Sequence, residues 1–180
     1  MTNEELFFDT DCISAFLWVK RENILLNLLT GKIVIPQPVY AELTNPCVPH
    51  IRNKVVEMEN DKLIRTQKIE LGTEEYEIYH ELAISPPNNE KKIGKGEAAA
   101  IAMAKVSGGT IASNNLKDIS KYVTKYGLKH VTTGDILLKA LNDGIITEDE
   151  GNVIWGKMLD KRRKLPTTTF TEYLESKKIK

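Results

Sequence analysis

The chain has only two cysteines, Cys12 and Cys47, in 180 residues, with no Cys-x-x-Cys or Cys/His spacing of the kind zinc needs. A disulfide framework and a structural zinc site are excluded, and both thiols read as small buried hydrophobes of a reducing compartment. No apolar run approaches the ~20 residues of a membrane span. The opening "MTNEELFF" carries acids where a signal peptide would carry Lys or Arg, so the expected location is the cytoplasm, with no membrane partner. Net charge is also missing, since 25 Lys plus Arg balance 25 Asp plus Glu. Any nucleic-acid partner must therefore be held by a local basic patch. One such patch is the tail from Trp155, where Lys157, Lys161, Arg162, Arg163, Lys164, Lys177, Lys178 and Lys180 face only Asp160, Glu172 and Glu175; a solvated helix face is the blander reading of it. The histidines His50, His80 and His130 show no ligand spacing and no Ser or Cys partner, and "GKGEAA" lacks the Walker lysine spacing. Triad hydrolysis and nucleotide binding of the Gly-rich kind are not encoded.

What is present is an alternation of strand-length apolar runs with helical periodicity, the pattern of an α/β domain built on a largely parallel sheet. The first strand is "ELFFD". "CISAFLWVKRENILLNLLTG" reads as one long helical region closed by Gly31, followed by the strand "KIVIP" and a helix "QPVYAELT" with Pro38 in its first turn. "HIRNKVVEMENDKLIRT" predicts a helix, a polar turn and a short strand. In "TEEYEIYHELAI", Tyr76, Tyr79, Leu82 and Ala83 share one helical face, a stripe that reads as core in preference to a base-stacking platform. The loop "SPPNNEKKIGKG" delivers the chain into the Ala-rich helix "EAAAIAMAKV"; the strands "GGTIAS" and "KHVTT" flank the helix "NNLKDISKYVTKYG", and "GDILLKALNDG" and "TEDEGNVIWGKMLDKRRK" close as helices.

In such a sheet ligands bind where strand ends line up along one edge. Asp9 ends the first strand, Glu42 lies in the helix after the second, Glu97 opens the Ala-rich helix, and Asp118 follows "TIAS" by one helical turn. Four carboxylates converging in one crevice raise one another's pKa values unless a cation neutralises them. The pattern therefore implies Mg²⁺ or Mn²⁺, hard ions that take carboxylate and water oxygens and activate water for attack on a phosphodiester.

"FFDTDCISAF", "PQPVYAEL", "GKGEAAAIAMA" and "IASNNLKDI" resemble, in that order, the four motifs of PIN-domain ribonucleases, especially the prokaryotic branch that includes the VapC toxins. The resemblance covers residues 5 to 122. It implies a three-layer α/β/α fold around a mainly parallel sheet of four to five strands. The catalytic domain would span 1–146 with a helical insertion at about 48–95, and a C-terminal helical extension at 147–180 would pack on the same domain. It also implies that Asp9, Glu42, Glu97 and Asp118 hold the metal and carry catalysis. Thr10, Ser113 and Asn115 become the supporting polar shell, which Asp11 either joins or leaves for a helix cap. Apart from the resemblance, Lys91, Lys92 and Lys95 beside Glu97 are placed to contact a nucleic-acid backbone, although a solvated loop explains them almost as well. The implied activity is metal-dependent endoribonuclease cleavage leaving a 5′ phosphate and a 3′ hydroxyl. The implied partners are RNA, an antitoxin protein and a second copy of the chain.

The chain departs from the family pattern in length, with the stretch from about His50 to Lys95 longer than in the minimal toxins and residues 147–180 past the usual end, and at two motif positions. Asp11 stands where the family has Asn, and either joins the site or caps the first helix. Asn114 and Asn115 stand where other branches carry an Asp pair, leaving Asp118 to supply the last carboxylate. A catalytically weak PIN-like module that binds RNA or protein is thus an alternative. A second is a haloacid-dehalogenase-like phosphatase, with Asp9 as nucleophile and Asp11 as its acid; it lacks the later Lys and acidic motifs and leaves Glu42 and Glu97 unexplained. Asp135 could be a fifth acid, although a helix-starting Asp is the blander reading.

Overall fold

A computed structural model describes residues 4–87 and 90–178; Lys180 of the basic tail lies outside the described residues. The central sheet has five strands, all parallel: β1 (Leu6–Phe8), β2 (Ile33–Pro36), β3 (Arg65–Gln67), β4 (Thr110–Ala112) and β5 (Lys129–Val131). Their order across the sheet is β3-β2-β1-β4-β5. β1 is wholly buried because helices cover both faces, which is why it reads as a continuous apolar run without alternation. Phe7 faces one layer with Val34 and Ile111, while Leu6 and Phe8 face the other with Ile33, Ile35 and Ala112.

On the first face lie α1 (Thr10–Trp18), α2 (Glu22–Leu29), α3 (Gln37–Leu43), α4 (Pro49–Asn60), α8 (Thr133–Asn142), α9 (Glu148–Asp160) and α10 (Phe170–Lys178). On the second lie α5 (Glu74–Tyr79), a π-helical turn continuing it (His80–Ile84), α6 (Lys95–Ser107) and α7 (Leu116–Tyr126). The parallel α/β sheet is as the sequence pattern implied, and the three-layer α/β/α arrangement is as the motif resemblance implied. No helix among the described residues is long and apolar enough to cross a membrane.

Three expectations need correction. The helical stretch 12–31 is two helices, because the chain stops at Val19 and turns through Lys20 at φ 55°. The Lys20 and Arg21 amides bond back to the Leu17 and Phe16 carbonyls at 3.2 and 2.9 Å, which closes a Schellman motif without the glycine that would have announced it. The short strand expected after the helix of "HIRNKVVEMENDKLIRT" is present as β3, which pairs with β2 at the edge of the sheet. Cys47 is exposed; only Cys12 is the buried hydrophobe expected of both. Finally, Leu82 and Ala83 are buried but Tyr76 and Tyr79 are only half-buried, Tyr79 packing against the edge of the same core and Tyr76 standing outside it. The π-helical turn, in which the Ser85 amide bonds to the His80 carbonyl at 2.8 Å, breaks the helical register between the two pairs.

The C-terminal helices α9 and α10 enter the main core. Trp155 is fully buried against Phe170 and Tyr173, and its indole N–H donates to the Thr167 carbonyl at 3.0 Å. Gly151 lets α10 approach, since a Cβ there would stand 2.3 Å from the Phe170 ring.

Candidate active site

The strand order turns at β1: the chain moves outward to β2 and β3, then returns to the other side of β1 for β4 and β5. The crevice at a topological switch point therefore opens beyond the ends of β1 and β4. Two backbone bonds extend the ladders past the strands, from the Asp9 amide to the Ala112 carbonyl and from the Ser113 amide to the Val131 carbonyl, each 3.0 Å. They set Asp9 and Ser113 side by side at that crevice.

Asp9, not Asp11, is the N-cap of α1, with Oδ1 accepting from the Cys12 amide at 2.7 Å. The residue is 2 % exposed, and its second oxygen, Oδ2, is buried with no hydrogen-bond partner. Burial pushes its pKa up to about 7. The Ser113 hydroxyl, which falls short of hydrogen-bond geometry, and the Cys12 amide offset part of that rise, while the charges of Asp11 and Glu97 add to it. Such an oxygen needs a proton or a cation.

Glu42 reaches the same crevice from α3, a helix started by Pro38 directly after β2. Its Oε2 accepts from the Thr10 hydroxyl at 2.5 Å. Between them sits Gly96, in the first turn of α6, where a Cβ would meet Val39 Cγ2 at 2.9 Å and Thr10 Oγ1 at 3.3 Å. Any side chain there would drive α6 off α1 and α3. The alanines that follow are buried and let the rest of α6 lie close to the sheet.

Glu97 folds back over the start of α6, Oε2 accepting from the Gly94 amide at 3.0 Å. Its Oε1 accepts from the Asn115 amide group at 2.6 Å, and the same Nδ2 donates to Asp118 Oδ2 at 3.0 Å. Asn115 thus bridges two acids, held at the start of α7 by its own backbone amide on the Ser113 hydroxyl at 3.2 Å. Asp118 also pairs with Lys91 at 3.6 Å; Asn115 first, then Lys91, holds its pKa below the usual carboxylate value. Asn114 points elsewhere, exchanging two hydrogen bonds with Thr133 that tie β4 to α8.

A cavity of about 250 Å³ is lined by Asp9, Thr10, Asp11, Glu42, Gly96 and Glu97 among others. Three of the four expected acids share it, while Asp118 joins only through Asn115. Among the described residues no three His, Cys, Asp or Glu side chains are gathered closely enough to close on one ion. The donors are nonetheless of the right kind: an all-oxygen set, with a buried, unpartnered Asp9 oxygen at its centre, suits a hard divalent cation.

The remaining expectations separate. Asp11 is half-buried on the cavity rim and pairs with Arg163, whose Nη1 stands 3.5 Å from Oδ1 and also donates to the Ser14 hydroxyl at 3.3 Å. Arg163 follows a second glycine-free Schellman turn, with Arg162 at φ 57°, so the end of α9 aims it inward. The sequence hid this, because Arg163 lies in a run of basic residues that read as a solvated face. Lys177 is similarly drawn inward to Asp135, so the C-terminal positive charge is partly internal. Asp135 sits in the first turn of α8, accepting from the Thr132 amide at 2.9 Å, and is no part of the crevice. Lys91 faces Asp118, Lys92 is exposed, and Lys95 lines a neighbouring groove with Glu42.

A crevice at the switch point of a β3-β2-β1-β4-β5 sheet, with acids delivered after β1, β2 and β4, can be compared with known families. A family model described as "DUF3368: PIN domain" matches residues 6–178. The chain is a PIN domain. PIN domains are in general nucleases that use divalent metal ions, which places the chain in a family of phosphodiester hydrolases. The match extends through α9 and α10, so the C-terminal helices belong to this kind of PIN domain. It also leaves the dehalogenase-like alternative without support. Among curated proteins none matches the sequence.

Proposed function

We propose that this PIN domain is a metal-dependent endoribonuclease. The observation that carries the reading is Asp9 Oδ2, buried at the switch point, unpartnered, and sharing one cavity with Glu42 and Glu97. A carboxylate left so costs a few kcal/mol in an apolar site, and a divalent cation removes that cost. Asp9, Glu42 and Glu97 would hold Mg²⁺ or Mn²⁺, with Asp118 as the fourth acid. When bound, such an ion supplies a water of lowered pKa and neutralises charge developing on the scissile phosphate.

The protein's own groups do the positioning. Thr10 orients Glu42, Asn115 orients Glu97 and Asp118 together, and Ser113 holds Asn115 while facing Asp9. Lys91 and Lys95 flank the acids and can donate to phosphate oxygens of a strand laid across them. The toxin role, with an antitoxin segment over the crevice and a second copy packed through helices, rests on the motif resemblance to the VapC branch alone.

One observation favours the weaker module instead: Asp118 lies outside the cavity and is paired with Lys91, which leaves three acids. A single experiment separates the two. Wild type, Asp9→Asn and Glu97→Gln are incubated with single-stranded RNA in Mn²⁺ and in chelator. Cleavage by wild type in Mn²⁺ only, lost in both variants at unchanged melting temperature or above, is the expected result. Equal cleavage by all three proteins removes the proposal.

A further inference from the structure

The acidic cavity does not end at Glu42. Glu42 also lines a second, larger cavity of about 490 Å³ with Gln37, Pro38, Tyr79 and Lys95. Gln37, Pro38 and Tyr79 in turn line a third, of about 260 Å³, together with Lys68, Ile69 and Tyr76. The shared residues make one groove, running from the acids over the start of α3 to the outer side of α5. Its chemistry changes along the way, from carboxylates to two amides (Gln37 and Asn45), two phenol rings and two lysines. Glu74, Glu75 and Glu77, on the same helix as the tyrosines, line neither of the two outer cavities.

We infer that this groove is a binding track for single-stranded RNA, in which Tyr76 and Tyr79 stack bases and Lys68 and Lys95 hold the backbone on its way to the acids. The occupant follows from the chemistry. Half-buried phenol rings flanked by ammonium groups match a chain that alternates flat π-faces with phosphates. A duplex keeps its bases stacked inside and would offer those rings nothing. Tyr76 and Tyr79 stand three residues apart on one side of α5; Tyr79 packs in part against the core that holds Leu82 and Ala83, yet both rings remain half-buried and line the groove. Gln37, at the first position of α3, presents both a donor and an acceptor where a base edge would pass. The substrate class rests on the ribonuclease reading of the crevice; the stacking track itself does not need cleavage.

Binding is measured in chelator by fluorescence anisotropy of a labelled oligouridine, for wild type, Tyr76→Ala, Tyr79→Ala, the two Tyr→Phe variants and Lys95→Ala. Each Tyr→Ala change should weaken binding ~5- to 100-fold, and each Tyr→Phe change, which keeps the ring, by less than ~3-fold. Lys95→Ala should reduce the slope of log affinity against log salt by about one phosphate contact. Duplex RNA of matched length should not respond to the tyrosine changes. Equal oligouridine affinity in all variants, or an equal loss on duplex, overturns the track, as does failure of the wild type to bind. Metal-dependent cleavage that ignores the tyrosines would remove the track and keep the ribonuclease. Tyrosine-dependent binding without cleavage would remove the ribonuclease and keep the track. Melting temperatures near wild type, expected for half-buried side chains, exclude unfolding as the cause.

Discussion

Asp9 and Asp135 occupy the same kind of place, each at the start of a helix directly after a parallel strand, yet the protein treats them oppositely. Asp135 is half-buried and saturated. Its Oδ2 accepts from the Thr132 amide and hydroxyl at 2.9 and 2.7 Å, and its Oδ1 from Tyr173 and Lys177 at 2.8 and 2.7 Å. Burial would raise its pKa, but Lys177, Thr132 and Tyr173 outweigh burial and bring it down to about 2. Asp9 is more deeply buried and has one hydrogen bond, so its pKa rises to about 7. A carboxylate surrounded by donors locks α10 onto α8 and contributes stability. One stripped of water and given too few donors stores a binding preference for a cation, at the expense of the apo fold.

The comparison can be broken first at Asp9. Asp9→Asn keeps a good helix cap but loses the charge, and should reduce RNA cleavage by on the order of a thousandfold, since a bound ion is asked for several kcal/mol of transition-state stabilisation. The same variant should melt no lower than wild type without metal. Asp135→Ala should do the reverse. Removing the partner of Lys177 and the carboxylate that completes the capping box of α8 should cost about 2–4 kcal/mol in denaturant titrations, while cleavage per folded molecule stays within about threefold.

The pH dependence of apo stability sharpens the contrast, because the two signs differ. Asp9 has a folded pKa above its unfolded one, so the unfolded chain loses its proton first, and stability falls as pH rises from about 4 to about 7. Asp135 has a folded pKa below its unfolded one. Its contribution is complete above pH ~4 and is lost as pH falls toward about 2. Thermal melts from pH 4 to 8 should show the first slope, a few kcal/mol at most, in wild type and not in Asp9→Asn. Millimolar Mg²⁺ or Mn²⁺ should flatten it by stabilising the charged form. A wild-type slope unaffected by Asp9→Asn would locate the titration elsewhere.

The smallest expected effect is at Asn115. Losing the amide that bridges Glu97 and Asp118 should weaken Mn²⁺ affinity about 10- to 100-fold, read by calorimetric titration, because groups that orient metal ligands are worth about that much. An Asn115→Ala protein with wild-type affinity would show that the two acids need no bridge.

The acids of the crevice were legible because strand ends and helix starts are written in local signals. An apolar run ending in Asp, Pro38 in the first turn of a helix before Glu42, and an Ala-rich helix opened by Gly-Lys-Gly-Glu each announce where the chain turns. The groups that tune those acids were not. Lys20, Lys62 and Arg162 end helices in the left-handed region with no glycine to mark them, and the last of these turns aims Arg163 at Asp11. Tyr76 and Tyr79 share an α-helical face with Leu82 and Ala83 only while the helix stays regular; the π-helical turn leaves Tyr76 outside the core and Tyr79 at its edge.

The sequence by itself determined the α/β layering, the parallel sheet and the candidate acids, since periodicity and turn chemistry are properties of neighbouring residues. Only the tertiary structure decided that Asp9 is left with an orphan oxygen while Asp135 is saturated. The difference lies in donors such as Tyr173 and Lys177, about forty positions further along the chain, and electrostatics depends on distance in space, not on separation in sequence.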